Sequence, residues 1–203
     1  MARLVRMRNQ FSLFQSPLDL AHGYWKQVVK KGDIVVDATC GNGHDTLLLA
    51  NLVGSAGSII ACDVQSQAVQ STTEYLSANL QKSDTPKIEF ALGCHSRFPE
   101  QINLGSVRLV VYNLGYLPRG DKALITKTET TLKSLSHAME IVMPGGVISI
   151  SCYPGHEGGD KEEQAIISFA ESLSKEVWSC CYHRWLNRKN SPTLILLQKG
   201  LLA

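Results

Sequence analysis

The chain has 203 residues, and no run of apolar residues in it is long enough to cross a bilayer as a helix. No membrane partner is therefore expected. Net charge is also scarce. Lys and Arg total 20 against 18 Asp and Glu, a balance of +2 that is too small to identify a polyanionic partner by bulk attraction. A nucleic acid would have to be held by a local basic patch. The six cysteines include no C-x-x-C pair, which leaves a zinc site or redox motif without support, and no metal is expected. They read as buried free thiols in a reducing cytoplasm. Internal repeats, low-complexity tracts and linkers are absent, so one domain is expected. No acid precedes Asp19, whereas Arg3, Arg6 and Arg8 do. We read residues 1–15 as a basic surface arm and 16–203 as the domain, because the elements below need almost everything after residue 16. Hydrophobic content of 44% and charged content of 19% are those of a soluble globular protein with a substantial core.

Strand and helix patterns alternate along that domain, which predicts a parallel sheet with helices on both faces. Helices are expected at 18–30, 44–53, 65–80, 121–140 and 160–174. Strands are expected at 33–37, 58–63, 87–91, 108–113 and 147–152, the last after a Pro144-Gly145-Gly146 turn. Strands at 177–185 and 193–199 should form a terminal antiparallel pair. Such a sheet holds ligands at the carboxyl ends of its strands. Asp37, Asp63, Cys94-His95 and Asn113 all fall at those ends.

The first strand, Ile34-Val35-Val36, leads into Asp37-Ala-Thr-Cys-Gly-Asn-Gly-His-Asp-Thr46, a strand, glycine loop and helix of the kind that holds an adenosine cofactor. A dinucleotide loop cradles a pyrophosphate with three glycines and a helix N-terminus. Here Gly41 and Gly43 have no third partner, and Asp37 and Asp45 would repel a phosphate. S-adenosylmethionine carries a sulfonium and an ammonium and no phosphate, so it suits these acids. Asp63, 26 positions after Asp37, can accept both ribose hydroxyls. Gln65 can add an amide contact, and Cys94 and His95 lie where the adenine edge would be. The expected architecture is a Rossmann-like class I methyltransferase fold, α/β, with a seven-stranded, mostly parallel sheet.

The fourth strand ends Tyr112-Asn113-Leu114-Gly115-Tyr116. Methyltransferases acting on nitrogen often carry Asn or Asp, two residues, then an aromatic at this place. Methyl transfer is an in-line displacement, so alignment supplies much of the rate. The Asn113 carbonyl can accept an N–H from an amine and turn its lone pair toward the methyl, with Tyr116 packing on a flipped base. Leu114-Gly115 replaces the two prolines usual in enzymes of exocyclic base amines. Tyr153-Pro-Gly-His156 after the fifth strand reads as an active-site lip, with Tyr153 toward the substrate and His156 as candidate base or as a group orienting the substrate. Arg184, Trp185 and Arg188 interleave charge with an aromatic ring, a pattern suited to an RNA loop.

Four segments together resemble the putative rRNA methylase family: the glycine loop, Tyr112-Asn-Leu-Gly-Tyr-Leu-Pro-Arg-Gly-Asp-Lys122, Tyr153-Pro-Gly-His-Glu-Gly-Gly159 and Leu186-Asn-Arg-Lys-Asn-Ser-Pro192. Characterised members of that family are tRNA 5-(aminomethyl)-2-thiouridine methyltransferases. The resemblance implies methylation of the wobble aminomethyl nitrogen, S-adenosylmethionine as cofactor and a tRNA anticodon loop as partner. It implies cofactor contacts at Asn42, Asp45, Asp63, Gln65, Cys94 and His95, Cys94 standing where members carry a small polar residue. His22 matches a histidine of the family's first helix and is expected to line the pocket. The resemblance leaves oligomeric state open, a homodimer included. Ribosomal RNA or a small molecule as substrate, a non-catalytic RNA-binding domain and a nicotinamide oxidoreductase are the rival readings.

Overall fold

A computed structural model of the chain describes residues 16–115, 125–155 and 158–202. The expected N-terminal arm, Tyr116 and His156 lie outside the described residues.

The described chain begins with α1 (Pro17–Val28), capped by the Ser16 hydroxyl, which accepts from the Asp19 N–H. There follow β1 (Ile34–Asp37), α2 (His44–Val53), β2 (Ser58–Asp63), α3 (Ser66–Asn79), β3 (Lys87–Leu92), β4 (Val107–Asn113), α4 (Thr128–Ile141), β5 (Val142–Cys152), α5 (Gly159–Glu171), β6 (Trp178–His183) and β7 (Thr193–Lys199). The seven strands lie in the order β3-β2-β1-β4-β5-β7-β6. The first five are parallel, and β7 runs antiparallel between β5 and β6, as the sequence predicts.

The central strands are apolar at nearly every position because both faces are covered. Alternate residues divide the core in two. Val36, Ile60, Val110, Tyr112, Ile148 and Ile150 pack with Leu135 and Ile141 of α4 and Ile166 of α5. Val35, Ile59, Leu109 and Val111 pack with Ala21 and Trp25 of α1 and Leu49, Ala50 and Val53 of α2. Ser149 of β5 faces this second core and is satisfied there, accepting from Trp25 Nε1 at 2.9 Å.

Three expectations are corrected. Of the helix expected at 121–140, residues 121–124 lie outside the described residues, 125–127 are not helical, and the helix begins at Thr128. Thr126 is instead held by Gly115, whose carbonyl accepts from its N–H at 2.9 Å and whose N–H donates to its hydroxyl at 2.9 Å. The Pro144-Gly145-Gly146 turn is a bulge inside β5: pairing with β4 steps from Val107–Val142 to Leu109–Val147 across it. Of the six cysteines, Cys94, Cys180 and Cys181 are exposed, the latter two on β6 at the sheet edge, and Cys40, Cys62 and Cys152 are buried.

Candidate active site

The site lies at the carboxyl ends of the parallel strands. Asp37 ends β1 fully buried, and burial pushes its carboxyl up to about 7; the Thr46 hydroxyl opposes that shift and the Asp45 charge adds to it. Its two oxygens accept from Thr46 Oγ1 at 2.6 Å and the Thr39 N–H at 3.2 Å, so Asp37 ties the glycine loop together from beneath. Thr39 Oγ1 in turn accepts from the Asn113 N–H at 2.7 Å, joining the loop to the tip of β4.

Gly43 has φ +81° and precedes α2; a Cβ there would lie 3.0 Å from Thr72 Cα on α3. The loop can therefore press against α3, where Thr72 Oγ1 donates to the Gly41 carbonyl at 3.0 Å. Asp63 at the tip of β2 accepts from the Gly41 N–H at 3.1 Å and the Gln65 N–H at 2.9 Å. Burial raises its carboxyl above the ordinary range, and those N–H groups oppose the shift. Asp37, Asp45 and Asp63 thus gather around one loop, Asp45 in the first turn of α2.

Asp45 links two more predicted residues. Its Oδ1 is 2.7 Å from His22 Nε2 on α1, and its Oδ2 accepts from Asn113 Nδ2 at 2.8 Å. A carboxylate offers only acceptors, so the Asn113 amide must turn its nitrogen toward Asp45. Its carbonyl oxygen then points elsewhere, and it is buried without a partner. His22 also rests 4.8 Å from the Trp25 ring, centroid to centroid. Tyr153, half-buried after β5, has its phenol raised by desolvation and by the Asp45 charge.

Among the described residues, the buried side-chain polar atoms without a partner are His95 Nε2, Asn113 Oδ1 and Ser151 Oγ. His95 follows β3, Asn113 ends β4 and Ser151 lies at the end of β5. An unpaired buried polar group costs roughly 1–3 kcal/mol. The fold carries that cost at the rim where ligands of such sheets bind. Burial holds the His95 imidazole down at about 4, neutral, so it can serve as donor or acceptor to a base edge. The carboxylates, the close-packed loop and this imidazole fit an adenosine bearing a cationic sulfonium.

Sequence reading missed Ser151, Thr39 and Thr46. The signal for the first is Ser149-Ile150-Ser151, hydroxyls at period two in a strand otherwise buried in hydrocarbon. It also missed Glu162, buried in α5, which accepts from Thr126 Oγ1 at 2.7 Å and Thr131 Oγ1 at 2.6 Å and so anchors the chain entering α4. The predicted basic group sits apart, beyond β6. Arg184 is exposed there, and the Arg188 guanidinium lies 5.4 Å from the half-buried Trp185 ring. His183, at the end of β6, meets Tyr24 of α1, Nε2 to hydroxyl 3.3 Å, so that end of the sheet reaches the helix that carries His22.

Residues 59–199 match the profile of the family described as Putative rRNA methylase. The chain is 40% identical over 187 residues to the Arabidopsis thaliana tRNA (mnm(5)s(2)U34)-methyltransferase, chloroplastic, covering 89% of this chain and 68% of that protein. Among solved structures, the putative rRNA-methylase from Clostridium thermocellum superimposes with a TM-score of 0.84 at 36% identity, over 91% of this chain and 97% of that one. SMU.1697c, a putative methyltransferase from Streptococcus mutans in complex with SAH, gives a TM-score of 0.80 at 32% identity, over 92% and 99%.

Proposed function

Since this chain belongs to the putative rRNA methylase family, we propose that it methylates the aminomethyl nitrogen of 5-aminomethyl-(2-thio)uridine at the tRNA wobble position. It is an S-adenosylmethionine-dependent methyltransferase of Rossmann-like fold. The observation that carries the substrate reading is the Asn113 amide, with its nitrogen fixed on Asp45 and its buried oxygen unpartnered. An acceptor held in that way receives an N–H and leaves the nitrogen lone pair free to face an electrophile.

S-adenosylmethionine supplies the activated methyl, bonded to a positively charged sulfur. We assign its cradle to Asp37, Gly41, Asn42, Gly43, Asp45, Asp63, Gln65, Cys94 and His95. Asp37 acts there through the loop, since both its oxygens are engaged by Thr46 and Thr39. Asp63 retains further lone pairs beside its two backbone donors and can accept from ribose hydroxyls. On the acceptor side, the amine nitrogen forms its bond to the methyl carbon as that carbon's bond to sulfur breaks, sulfur keeping the electron pair. The amine must arrive neutral, and His156 is the proposed acceptor of its proton. Tyr116 and Tyr153 would pack the uridine. Arg184, Trp185 and Arg188 would engage the phosphates and bases of the anticodon loop, with a cytoplasmic location the one expected.

An alkylamine also explains Leu114-Gly115 after Asn113. A planar exocyclic base amine needs clamping in one plane, which the two prolines of other N-methyltransferases provide; an aminomethyl group rotates freely and needs only its N–H accepted. The test is nucleoside analysis of the wobble position after incubation of undermethylated tRNA with the protein and S-adenosylmethionine. Conversion of aminomethyl-uridine to methylaminomethyl-uridine is expected; unchanged aminomethyl-uridine would remove the tRNA assignment.

A further inference from the structure

Asn113 of β4 and Ser151 of β5 are register partners in the parallel pair. Paired residues of adjacent strands project to the same face of the sheet. Two positions earlier on that face, Val111 pairs with Ser149, whose hydroxyl receives the Trp25 indole N–H. Ser149 is thus a polar residue with a built partner. Ser151, one pleat nearer the strand ends, is 2% exposed, and its hydroxyl has no partner at all. Its neighbour Asn113 carries the unpartnered Oδ1. Two orphaned oxygens, on two strands, therefore stand side by side at the level of the reacting centre.

We propose that Ser151 is a substrate-binding residue that forms, with Asn113, a two-acceptor seat for a primary alkylamine. The proposal rests on the reading of the substrate as an aminomethyl group. A neutral primary amine has two N–H bonds and one lone pair. Asn113 Oδ1 accepts one N–H and Ser151 Oγ the other, which leaves the lone pair as the only remaining direction on nitrogen. A hydroxyl rotates to present a lone pair to a donor, so Ser151 needs no movement of its backbone to do this. Both orphaned oxygens are then satisfied by one ligand group. The polarity of the seat is fixed from behind by the bond of Asn113 Nδ2 to Asp45, which keeps the carbonyl forward.

The seat also discriminates against its own product. A neutral secondary amine offers one N–H. Its methyl would have to face one of the two oxygens, which would stay buried without a donor. A site that must leave a buried polar group unpaired rejects a ligand far more strongly than one that merely loses an apolar contact. The geometry therefore favours one methylation and stops before a second.

The test uses the full chain with two tRNAs, one bearing aminomethyl-uridine and one methylaminomethyl-uridine, and the variants Ser151→Ala and Ser151→Thr. The wild-type protein is expected to turn over the primary amine at least about tenfold faster than the secondary one. Ser151→Ala should lose about tenfold in turnover on the primary amine and narrow that ratio, with SAH affinity within about twofold of wild type. Ser151→Thr, which keeps the hydroxyl, should recover the preference. Equal rates on the two tRNAs with the wild-type protein would overturn the proposal without recourse to any variant. So would a Ser151→Ala protein with wild-type turnover and ratio, or a Ser151→Thr protein no better than Ser151→Ala. Absence of turnover of either tRNA by a wild-type protein that binds SAH would overturn the substrate reading itself, and the seat with it. Turnover of the primary amine with an indifferent Ser151→Ala overturns the seat alone.

Discussion

At the tips of β1 and β2 each carboxylate, Asp37 buried and Asp63 half-buried, already accepts from two donors of the chain. Asp37 receives Thr46 and Thr39, and Asp63 receives Gly41 and Gln65. At the tips of β4 and β5 the buried oxygens of Asn113 and Ser151 receive nothing. The donor side of the site is built around backbone N–H groups, and its carboxylates hold a loop in shape before any ligand arrives. In the proposed reading the acceptor side is formed by Asn113 and Ser151, whose unpartnered oxygens the substrate would engage. Damage on one side should therefore fall on cofactor binding, and damage on the other on turnover.

Asn113→Ala separates the two sides most sharply. It removes the forward-facing carbonyl and leaves the loop's own bonds to Asp37 and Asp63 in place. Turnover should fall by about 100-fold or more, as expected when a reacting group loses its alignment. SAH binding, measured by calorimetry, should stay within a few-fold. A comparable loss of SAH affinity would mean that the two sides are one structural unit.

Gly43→Ala should do the reverse. The backbone at φ +81° disfavours a side chain, and the added Cβ would press on Thr72 Cα at 3.0 Å, backbone that cannot swing aside. Strain of this kind costs of order 1–3 kcal/mol. SAH affinity should fall by about 10- to 100-fold, with turnover at saturating S-adenosylmethionine little changed. A variant with wild-type SAH affinity would show that the close approach of the loop to α3 does not shape the cofactor cradle.

This asymmetry also explains what could be read from the residues alone. The sheet was legible because β1, β2 and β4 are each a largely apolar run closed by Asp or Asn, and the loop because Gly41, Gly43 and three acids announce a cationic ligand. Residues that act by burial were silent. Thr39, Thr46 and Glu162 look like ordinary polar residues until the fold brings Asp37, Asn113 and Thr126 to them. Ser151 gives only the faint signal of a hydroxyl repeated at period two. The start of α4 was misplaced because Ile125, Thr126 and Lys127, just before it, include no glycine or proline. The hold of Glu162 on Thr126 is a tertiary constraint that local pattern does not encode.

His22 occupies the boundary between the sides, since it touches Asp45 and Asp45 touches Asn113. His22→Leu leaves one oxygen of Asp45 without its donor and frees the carboxylate to rotate, which loosens the Asn113 amide. Turnover should fall about 10- to 30-fold, less than for Asn113→Ala, because the carbonyl is still present. His22→Gln, whose amide N–H can replace the ring N–H, should recover most of the loss, whereas His22→Asn should not reach Asp45. Equal activity of the Gln and Asn variants would show that the ring itself matters, as a base or a stacking surface.

The smallest expected effect is a proton linkage confined to the donor side. Asp37 holds its proton up to about 7 in the fold because it is buried, whereas in an unfolded chain it would lose it near 3.8. The fold thus favours the protonated carboxyl. Its contribution to stability is fully present below the unfolded value and is lost as pH rises from about 4 through about 7. A bound sulfonium acts in the opposite sense, since a cation near Asp37 favours its ionised form. Binding of S-adenosylmethionine should then release a fraction of a proton near neutrality and tighten by up to about tenfold from pH 6 to pH 8. His95 does not contribute across this window, because burial has already made it neutral well below pH 6. SAH, which lacks the sulfonium charge, should show a weaker dependence, and Asp37→Asn should flatten the difference between the two ligands. Calorimetry in buffers of different ionisation enthalpy reads the proton count directly. If S-adenosylmethionine and SAH release equal numbers of protons, the acids at the strand tips do not sense the sulfonium, and their work is confined to holding the loop.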